Sequence, residues 1–200
     1  MNLPNKITMF RIGLSILLIL LLVFPWYEVG LGNLFPSYIV MNKVTINMQY
    51  IIGGIIFVIA AVTDFLDGYI ARSRNLVTDF GKTMDAIADK VLVNPILVIL
   101  AYNGFIPVII PVVIITRDIV VDAIKMASGS KGKVVGASIL GKIKTICMMF
   151  GIAFVFFYNL PFELVGVRVA DILLLVATVL SVISACQYYI VNKDVIFTEK

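Results

Sequence analysis

The chain has 200 residues, of which 61% are hydrophobic and 14% are charged, and its formal net charge is +4. An apolar fraction this high with so few charges excludes an ordinary soluble domain and indicates an integral membrane protein. Histidine is absent, which excludes histidine acid–base chemistry and histidine metal ligands and leaves carboxylates, lysine, arginine and hydroxyls for any catalysis.

Long apolar segments fill most of the chain. A helix that crosses a bilayer needs about 20 mostly apolar residues, and the links between segments of this length are short apart from residues 27–47. The sequence predicts an all-α, polytopic membrane protein in which residues 1–200 form one domain, a single bundle of six transmembrane helices. The predicted spans are residues 7–25, 48–71, 86–103, 105–124, 137–158 and 168–191. The 27–47 link carries no pattern that indicates a function.

The segment that leads into the first span, residues 2–8 (NLPNKIT), combines a proline with helix-capping residues. Pro4 and Asn5 are typical of a turn that leads into a helix, and Asn5 or Thr8 would cap that helix. Taken alone, this pattern indicates only where the first helix begins.

Two pairs of aspartates flank the link between the second and third spans. Asp64 and Asp67 are three residues apart, and Asp85 and Asp89 are four apart, so each pair shares one face of a helix. Because an antiparallel hairpin brings the end of one helix beside the start of the next, we expect the four carboxylates to converge near the membrane interface. Each costs about 2.5–3.5 kcal/mol in the apolar region, and they repel one another unless they are neutralised.

Divalent cations are the partners that this set of carboxylates favours. Oxygen ligands without histidine or cysteine indicate Mg²⁺ or Mn²⁺, with Ca²⁺ as a third choice, and four carboxylates suit two ions about 3.5–4 Å apart. The alternative is that the aspartates lie in interfacial water or pair with nearby cations. Those cations are Arg72, Arg74, Lys82 and Lys90.

Small residues accompany the aspartates. Gly68 and Ala71 lie on the helix face of the first aspartate pair, and Gly81 lies one turn before the second pair. The missing bulk would let a flat ligand approach the backbone. For any one of these glycines alone, helix packing is the simpler explanation.

Basic residues form a second charged group later in the chain. They occur within the fourth span, two turns further on and at the start of the fifth span, at Arg117, Lys125, Lys142 and Lys144. A buried arginine needs an anion, so this group is a candidate for binding a phosphate. The alternatives are an internal pair of Arg117 with Asp118 or Asp122, and snorkelling of Lys142 and Lys144 toward water.

The distribution of lysine and arginine predicts the orientation. With six spans, both termini lie on the same side as the second-to-third and fourth-to-fifth links. Of the 16 lysine and arginine residues, only Lys43 and Arg168 lie toward the other side. The positive-inside rule therefore places the termini and both charged groups on the cytoplasmic side, where the same bias also attracts anionic lipid.

The aspartates belong to a longer pattern, D-x2-D-G-x2-A-R-x8-G-x3-D-x3-D, whose fixed positions are Asp64, Asp67, Gly68, Ala71, Arg72, Gly81, Asp85 and Asp89. The chain in this respect resembles the CDP-alcohol phosphotransferases, whose signature it matches in full. The resemblance implies a six-helix membrane fold, usually a homodimer, in which the four aspartates hold two Mg²⁺ or Mn²⁺ ions. Asp89, the last of the four, is our candidate for the general base.

Residues 2–11, NLPNKITMFR, resemble the opening N-L/I-P-N-x-L/I-T-x-x-R of the bacterial phosphatidylglycerophosphate synthases of this family. This implies CDP-diacylglycerol as donor, sn-glycerol 3-phosphate as acceptor and the bacterial cell membrane as location, with no nucleic-acid partner. The implied donor-binding residues are Pro4, Asn5, Thr8, Asp64, Asp67, Gly68, Ala71, Arg72, Thr78 and Gly81. Matching basic positions imply that Arg117, Lys125, Lys142 and Lys144 bind the phosphate of the acceptor.

Three positions depart from the synthase pattern. Asp122 and Lys125 stand where those enzymes commonly have threonine and arginine, and Ala86 stands where they have proline. Asp122 would repel an acceptor phosphate unless it pairs with Lys125, so the same chemistry with another acceptor is an alternative: a cardiolipin, phosphatidylserine or phosphatidylinositol phosphate synthase. A divalent-cation transporter is the alternative of another class, because intramembrane carboxylates also line ion paths.

Overall fold

The structure, a computed structural model, describes residues 2–41, 43–74, 78–130, 136 and 138–197, excluding the side chains of Arg72, Asp79, Lys82, Ser130 and residues 194–197. Most of these residues lie in six long helices. The helices are α1 (Leu3–Val23), α2 (Met48–Ser73), α3 (Asp79–Tyr102), α4 (Ile109–Ser130), α5 (Ile139–Phe156) and α6 (Val169–Phe197). The predicted mainly helical architecture is confirmed, and each helix overlaps one predicted span.

Helix α3 begins seven residues before the apolar run that predicted it. Thr78 is its N-cap, and the Thr78 hydroxyl accepts a hydrogen bond of 3.0 Å from the backbone N–H of Gly81. A capped N-terminus satisfies backbone donors that would otherwise lack a partner. The helix therefore extends past the apolar segment, and Asp85 and Asp89 lie within regular helix.

Four of the described helices are long and apolar enough to cross a membrane. These segments are Leu3–Val23, Met48–Ala71, Ile139–Phe156 and Val169–Lys193. The described parts of α3 and α4 do not meet that condition, because α3 carries charged residues in its first half and α4 carries four of them between Arg117 and Lys125. The crossing of the membrane by α3 and α4 stays a prediction.

The helices pack in two groups around a shared apolar core. α1 contacts both α2 and α3, α6 contacts both α4 and α5, and α2 joins the groups through α5. A Cβ added at Gly54 of α2 would lie 2.8 Å from Phe156 of α5, and one added at Gly151 of α5 would lie 2.8 Å from Leu174 of α6. Because lipid is as apolar as leucine, close contact through small residues is what holds such helices together. The core includes Leu18, Phe57, Ile96, Leu97, Ile114, Ile152, Phe156 and Leu174.

The link between α1 and α2 contains ordered structure that the sequence did not indicate. A 3-10 turn at Gly32–Leu34 precedes strand β1 (Ser37–Val40), which pairs antiparallel with strand β2 (Val44–Asn47). The backbone N–H of Asn47 donates a 2.9 Å hydrogen bond to the hydroxyl of Tyr158. This hairpin is therefore attached to the link between α5 and α6.

Candidate active site

The carboxylates of Asp64, Asp67 and Asp85 form a compact cluster where the end of α2 meets the start of α3. One oxygen of each lies within 4.8 Å of one oxygen of the others. The structure thus brings three of the four predicted aspartates together across the two helices. Asp89, one turn after Asp85, lies outside this group of three and lines the adjoining cavity.

Arg11 of α1 lies inside the carboxylate cluster. Its side chain is fully buried, forms ion pairs with Asp64 and Asp85, and comes within 3.9 Å of a carboxylate oxygen of Asp67. A guanidinium without water requires such anionic partners. The alternative partners named from sequence included Lys90, but among the described side chains the cation in this cluster is Arg11.

Arg11 is a residue of this cluster that the sequence analysis did not identify as part of the site. It appeared there only as the last position of the NLPNKITMFR stretch. The available signal was a single arginine inside an otherwise apolar run, with no acidic residue in the first 27 positions to pair with it. Such a residue needs an anion from elsewhere in the chain, and the aspartates of α2 and α3 supply it.

The start of α1 contacts both helices that carry the aspartates. Thr8 is buried, and its hydroxyl lies 2.9 Å from a carboxylate oxygen of Asp67 and 3.1 Å from the carbonyl oxygen of Pro4. The side-chain oxygen of buried Asn5 lies 2.7 Å from where a Cβ of Gly81 would stand. Thr8 therefore contacts the aspartate cluster, and the contact of Pro4, Asn5 and Thr8 with the donor stays a prediction.

The small residues differ in what surrounds them. Gly81 is covered by Asn5 of α1 and by Thr78, so its lack of a side chain allows close packing of α1 on α3. Gly68 and Ala71 are half-buried in α2, following the aspartates, and their predicted contact with the donor stays a prediction. The side chain of Arg72, another predicted donor contact, lies outside the described residues.

A cavity of about 700 Å³ joins the carboxylates to the basic group. Its walls come from α2, α3, α4, α5 and α6. Asp64, Asp85 and Asp89 line it from α2 and α3, and the four predicted cations line it from α4 and α5; these four cations, Arg117, Lys125, Lys142 and Lys144, are called the basic end of the cavity. All members of the predicted acceptor site therefore share one space with the aspartates of α3.

The guanidinium of Arg117 is held by three partners. It donates to the backbone carbonyl of Ser181 at 3.3 Å, to the hydroxyl of Ser184 at 2.7 Å and to Asp118 at 2.9 Å. Lys144, which is buried, lies 2.9 and 3.0 Å from the two oxygens of the same Asp118. The internal pair that the sequence left open is present, but one carboxylate serves two cations. This arrangement leaves a net positive charge, and Arg117 has five N–H groups to share.

Asp122 forms an ion pair with Lys90 of α3. The sequence suggested Lys125 as its partner, and the structure differs because α3 and α4 lie side by side here. The ammonium group of Lys125 instead lies 5.5 Å from the ring centre of Tyr188. Lys90 of α3 thus neutralises the charge of Asp122, and Lys125 does not form an ion pair with this carboxylate.

The residues present fit a divalent cation. Carboxylate oxygens are the ligands that Mg²⁺ and Mn²⁺ prefer, and the three clustered aspartates offer one oxygen each within 4.8 Å. A second ion would also need Asp89, which is separated from Asp85 by one helical turn. The two cysteines of the chain are distant in sequence from these aspartates, and the chain has no histidine that could compete as a metal ligand.

Comparisons with known proteins show the family and several relatives of this chain. Residues 1–183 match the family model described as CDP-alcohol phosphatidyltransferase. A protein of Bacillus subtilis is 39% identical over 98% of this chain and 98% of its own length, and proteins of Rickettsia typhi and Shigella flexneri are each 31% identical over 94% of this chain. The matches cover 95% of the Rickettsia typhi protein and 92% of the Shigella flexneri protein. All three relatives are named CDP-diacylglycerol–glycerol-3-phosphate 3-phosphatidyltransferase.

Proposed function

Because the chain belongs to the CDP-alcohol phosphatidyltransferase family, we propose that it transfers the phosphatidyl group of CDP-diacylglycerol to sn-glycerol 3-phosphate. The products are CMP and phosphatidylglycerol phosphate. The observation that carries this proposal is one cavity lined both by the carboxylates of α2 and α3 and by the four cations of α4 and α5. The names of relatives that are similar over nearly the whole chain support the choice of acceptor.

Asp64, Asp67 and Asp85 would hold Mg²⁺ or Mn²⁺, and the matched signature adds Asp89 as the fourth ligand of a two-ion site. When bound, the ions neutralise the pyrophosphate of the donor and stabilise the departing CMP. Thr8 donates to Asp67 and orients that carboxylate. Such a neighbour fixes the direction in which a ligand oxygen points.

Asp89 is the general base of the proposed reaction. It lines the same cavity as Asp85 and the four cations, where it would accept the proton of the 1-hydroxyl of glycerol 3-phosphate. That oxygen then bonds to the phosphorus that carries diacylglycerol, the bond from this phosphorus to the CMP oxygen breaks, and CMP leaves with the electron pair. A positioned base contributes about 10²–10⁴-fold to such a step.

The basic end of the cavity binds the phosphate of the acceptor. Arg117 and Lys144 are fixed by Asp118, and Lys125 and Lys142 have exposed side chains that can reach toward a solute. A phosphate offers oxygens to several cations at once, and the guanidinium forms the most directional of these contacts. The acceptor is thereby oriented with its 1-hydroxyl toward Asp89.

The proposed membrane arrangement follows from the substrates. All six helices cross the bacterial cell membrane, the termini and the cavity lie at the cytoplasmic side, and the protein forms a homodimer as the family resemblance implies. The acyl tails of the donor stay in the bilayer while glycerol 3-phosphate and CMP exchange with the cytosol. The excess of lysine and arginine on one side supports this orientation.

The test is to incubate purified protein with CDP-diacylglycerol, Mg²⁺ and one candidate acceptor at a time and to measure CMP. The acceptors are glycerol 3-phosphate, phosphatidylglycerol, serine and inositol phosphate. We expect release with glycerol 3-phosphate. Release only with another acceptor would keep the chemistry and change the substrate. Metal uptake by proteoliposomes without CMP release would indicate the transporter instead.

A further inference from the structure

Tyr188 of α6 lies where α4, α5 and α6 meet beside the cavity. Its side chain is 6% exposed, contacts Val121 and Ile124 of α4, and lines the cavity near the basic residues. No part of the aspartate signature contains this residue, and the mechanism above does not use it. Its contacts nevertheless reach two of the four cations of the basic end directly and the other two through the start of α5.

The hydroxyl of Tyr188 holds the segment that leads into α5. It accepts a 2.8 Å hydrogen bond from the backbone N–H of Ser138 and donates one of 3.0 Å to the carbonyl of Gly136. Ser138 is the N-cap of α5, and its own hydroxyl accepts from the backbone N–H of Gly141 at 3.0 Å. The Tyr188 hydroxyl therefore fixes the place at which α5 begins.

This start of α5 matters for the charges in the cavity. Lys142 and Lys144 lie in the first two turns of the helix, so a displacement of the Ser138 cap moves both ammonium groups. Gly141 lies against Arg117, since a Cβ there would stand 3.8 Å from a terminal guanidinium nitrogen. The position of α5 is thus coupled to the cation on α4.

The ring of Tyr188 lies under two cations of α4. The guanidinium carbon of Arg117 is 5.7 Å from the ring centre, and the ammonium nitrogen of Lys125 is 5.5 Å from it. Both distances lie within the range of about 6 Å for attraction between a cation and an aromatic face. A carboxylate in the place of the ring would neutralise these cations and occupy their N–H donors. An aromatic ring attracts the cations but leaves their charge and their N–H donors available to an anion.

We propose that Tyr188 is the positioning residue of the phosphate-binding end of the cavity. Its ring holds the cations of α4, and its hydroxyl holds the start of α5 and with it the cations of that helix. The inference rests on the proposed function, because it takes the acceptor phosphate as the anion that these groups bind. A residue that served only as core packing would affect stability without distinguishing acceptor from donor.

The experiment compares two substitutions with a matched neighbour. Tyr188→Phe keeps the ring and removes both hydrogen bonds, and Tyr188→Leu removes the ring as well. Tyr189→Phe and Tyr189→Leu are the controls, because Tyr189 is the next residue of α6, is 48% exposed and does not line the described cavity. For each protein, KM for glycerol 3-phosphate, KM for CDP-diacylglycerol and kcat are measured, together with the thermal unfolding midpoint.

We expect Tyr188→Leu to raise KM for glycerol 3-phosphate about tenfold and Tyr188→Phe to raise it about threefold, with KM for CDP-diacylglycerol within about twofold of wild type. The Tyr189 variants should match wild type. An unchanged acceptor KM in Tyr188→Phe, or equal changes in both KM values, overturns the proposal even if Tyr188→Leu fails to fold. Wild-type CMP release that does not depend on glycerol 3-phosphate would contradict the proposed function instead.

Discussion

The hydroxyl of Thr8 on α1 lies 2.9 Å from a carboxylate oxygen of Asp67 on α2, and both side chains are buried. The contact joins the segment that resembles the synthase opening to the aspartate signature, although 59 residues separate them in the chain. Arg11, one turn after Thr8, reaches the same cluster. The two sequence patterns are therefore parts of one site.

Replacing Thr8 by valine removes the hydroxyl and keeps the size of the side chain. We expect the Mg²⁺ concentration for half-maximal CMP release to rise about three- to tenfold, because a lost hydrogen bond of this kind is worth about 1 kcal/mol and Asp67 is no longer oriented. Titration of Mg²⁺ at saturating substrates measures this. Thr178→Val, a similar change on α6 at a residue bonded to its own helix, is the control. An unchanged Mg²⁺ requirement in Thr8→Val would separate Thr8 from the metal site.

Asp89→Asn tests the general base. Turnover should fall by about 10²-fold or more, because the amide cannot accept the hydroxyl proton, while binding of CDP-diacylglycerol persists. Single-turnover CMP release and donor binding are measured side by side. Asp171→Asn is the control. Asp171 lies in the first turn of α6 and is half-exposed, so this variant should retain wild-type turnover. Near-normal turnover in Asp89→Asn would remove Asp89 from this role.

Arg117→Ala tests the acceptor site. KM for glycerol 3-phosphate should rise about 10-fold or more, since hydrogen bonds to a charged group are worth about 1.5–3 kcal/mol, and KM for CDP-diacylglycerol should change little. Steady-state kinetics with each substrate varied in turn give both values. Arg168→Ala, whose side chain is 76% exposed in the native protein, is the control. Equal effects on both substrates would assign Arg117 to folding.

Substitutions of Lys90 and Asp122 test whether the charge of Asp122 affects binding of the acceptor. Lys90→Met leaves the carboxylate of Asp122 without its ion-pair partner. The unpaired negative charge should repel the acceptor phosphate and raise KM for glycerol 3-phosphate about tenfold. Adding Asp122→Asn to Lys90→Met removes that charge and should return the KM to within about threefold of wild type. A double variant as impaired as Lys90→Met alone would show that the Lys90 side chain itself, and not the charge of Asp122, matters for the acceptor.

Gly81→Ala tests the packing of α1 on α3. The new Cβ would stand 2.7 Å from the side-chain oxygen of Asn5 and 3.0 Å from the hydroxyl of Thr78, so the free energy of unfolding should fall by about 1–3 kcal/mol. Gly129→Ala is the matched control, because a Cβ there meets nothing within 4 Å and alanine favours a helix by up to about 1 kcal/mol. Denaturation in detergent micelles compares the two. A Gly81→Ala protein as stable as wild type would contradict close packing at this position.

The strand pairing between residues 37 and 47 shows one limit of reading the chain without its fold. The segments SYIV and VTIN are four residues each, too short for an alternating pattern to stand out from a loop. Pairing with each other and the contact of Asn47 with Tyr158 stabilise them. Neither contact has a signal in the local sequence.

The sequence by itself determined the helices and the chemistry they carry: apolar runs of membrane-spanning length, aspartates spaced to share a helix face, and cations concentrated toward one side. These properties depend on neighbours within a few residues, and helical periodicity makes them readable. Only the tertiary structure decided the partners. Arg11 reaches Asp85 across 74 positions of the chain, and Lys90 rather than Lys125 neutralises Asp122, because such contacts depend on how each helix is rotated and packed against the others, which no local pattern specifies.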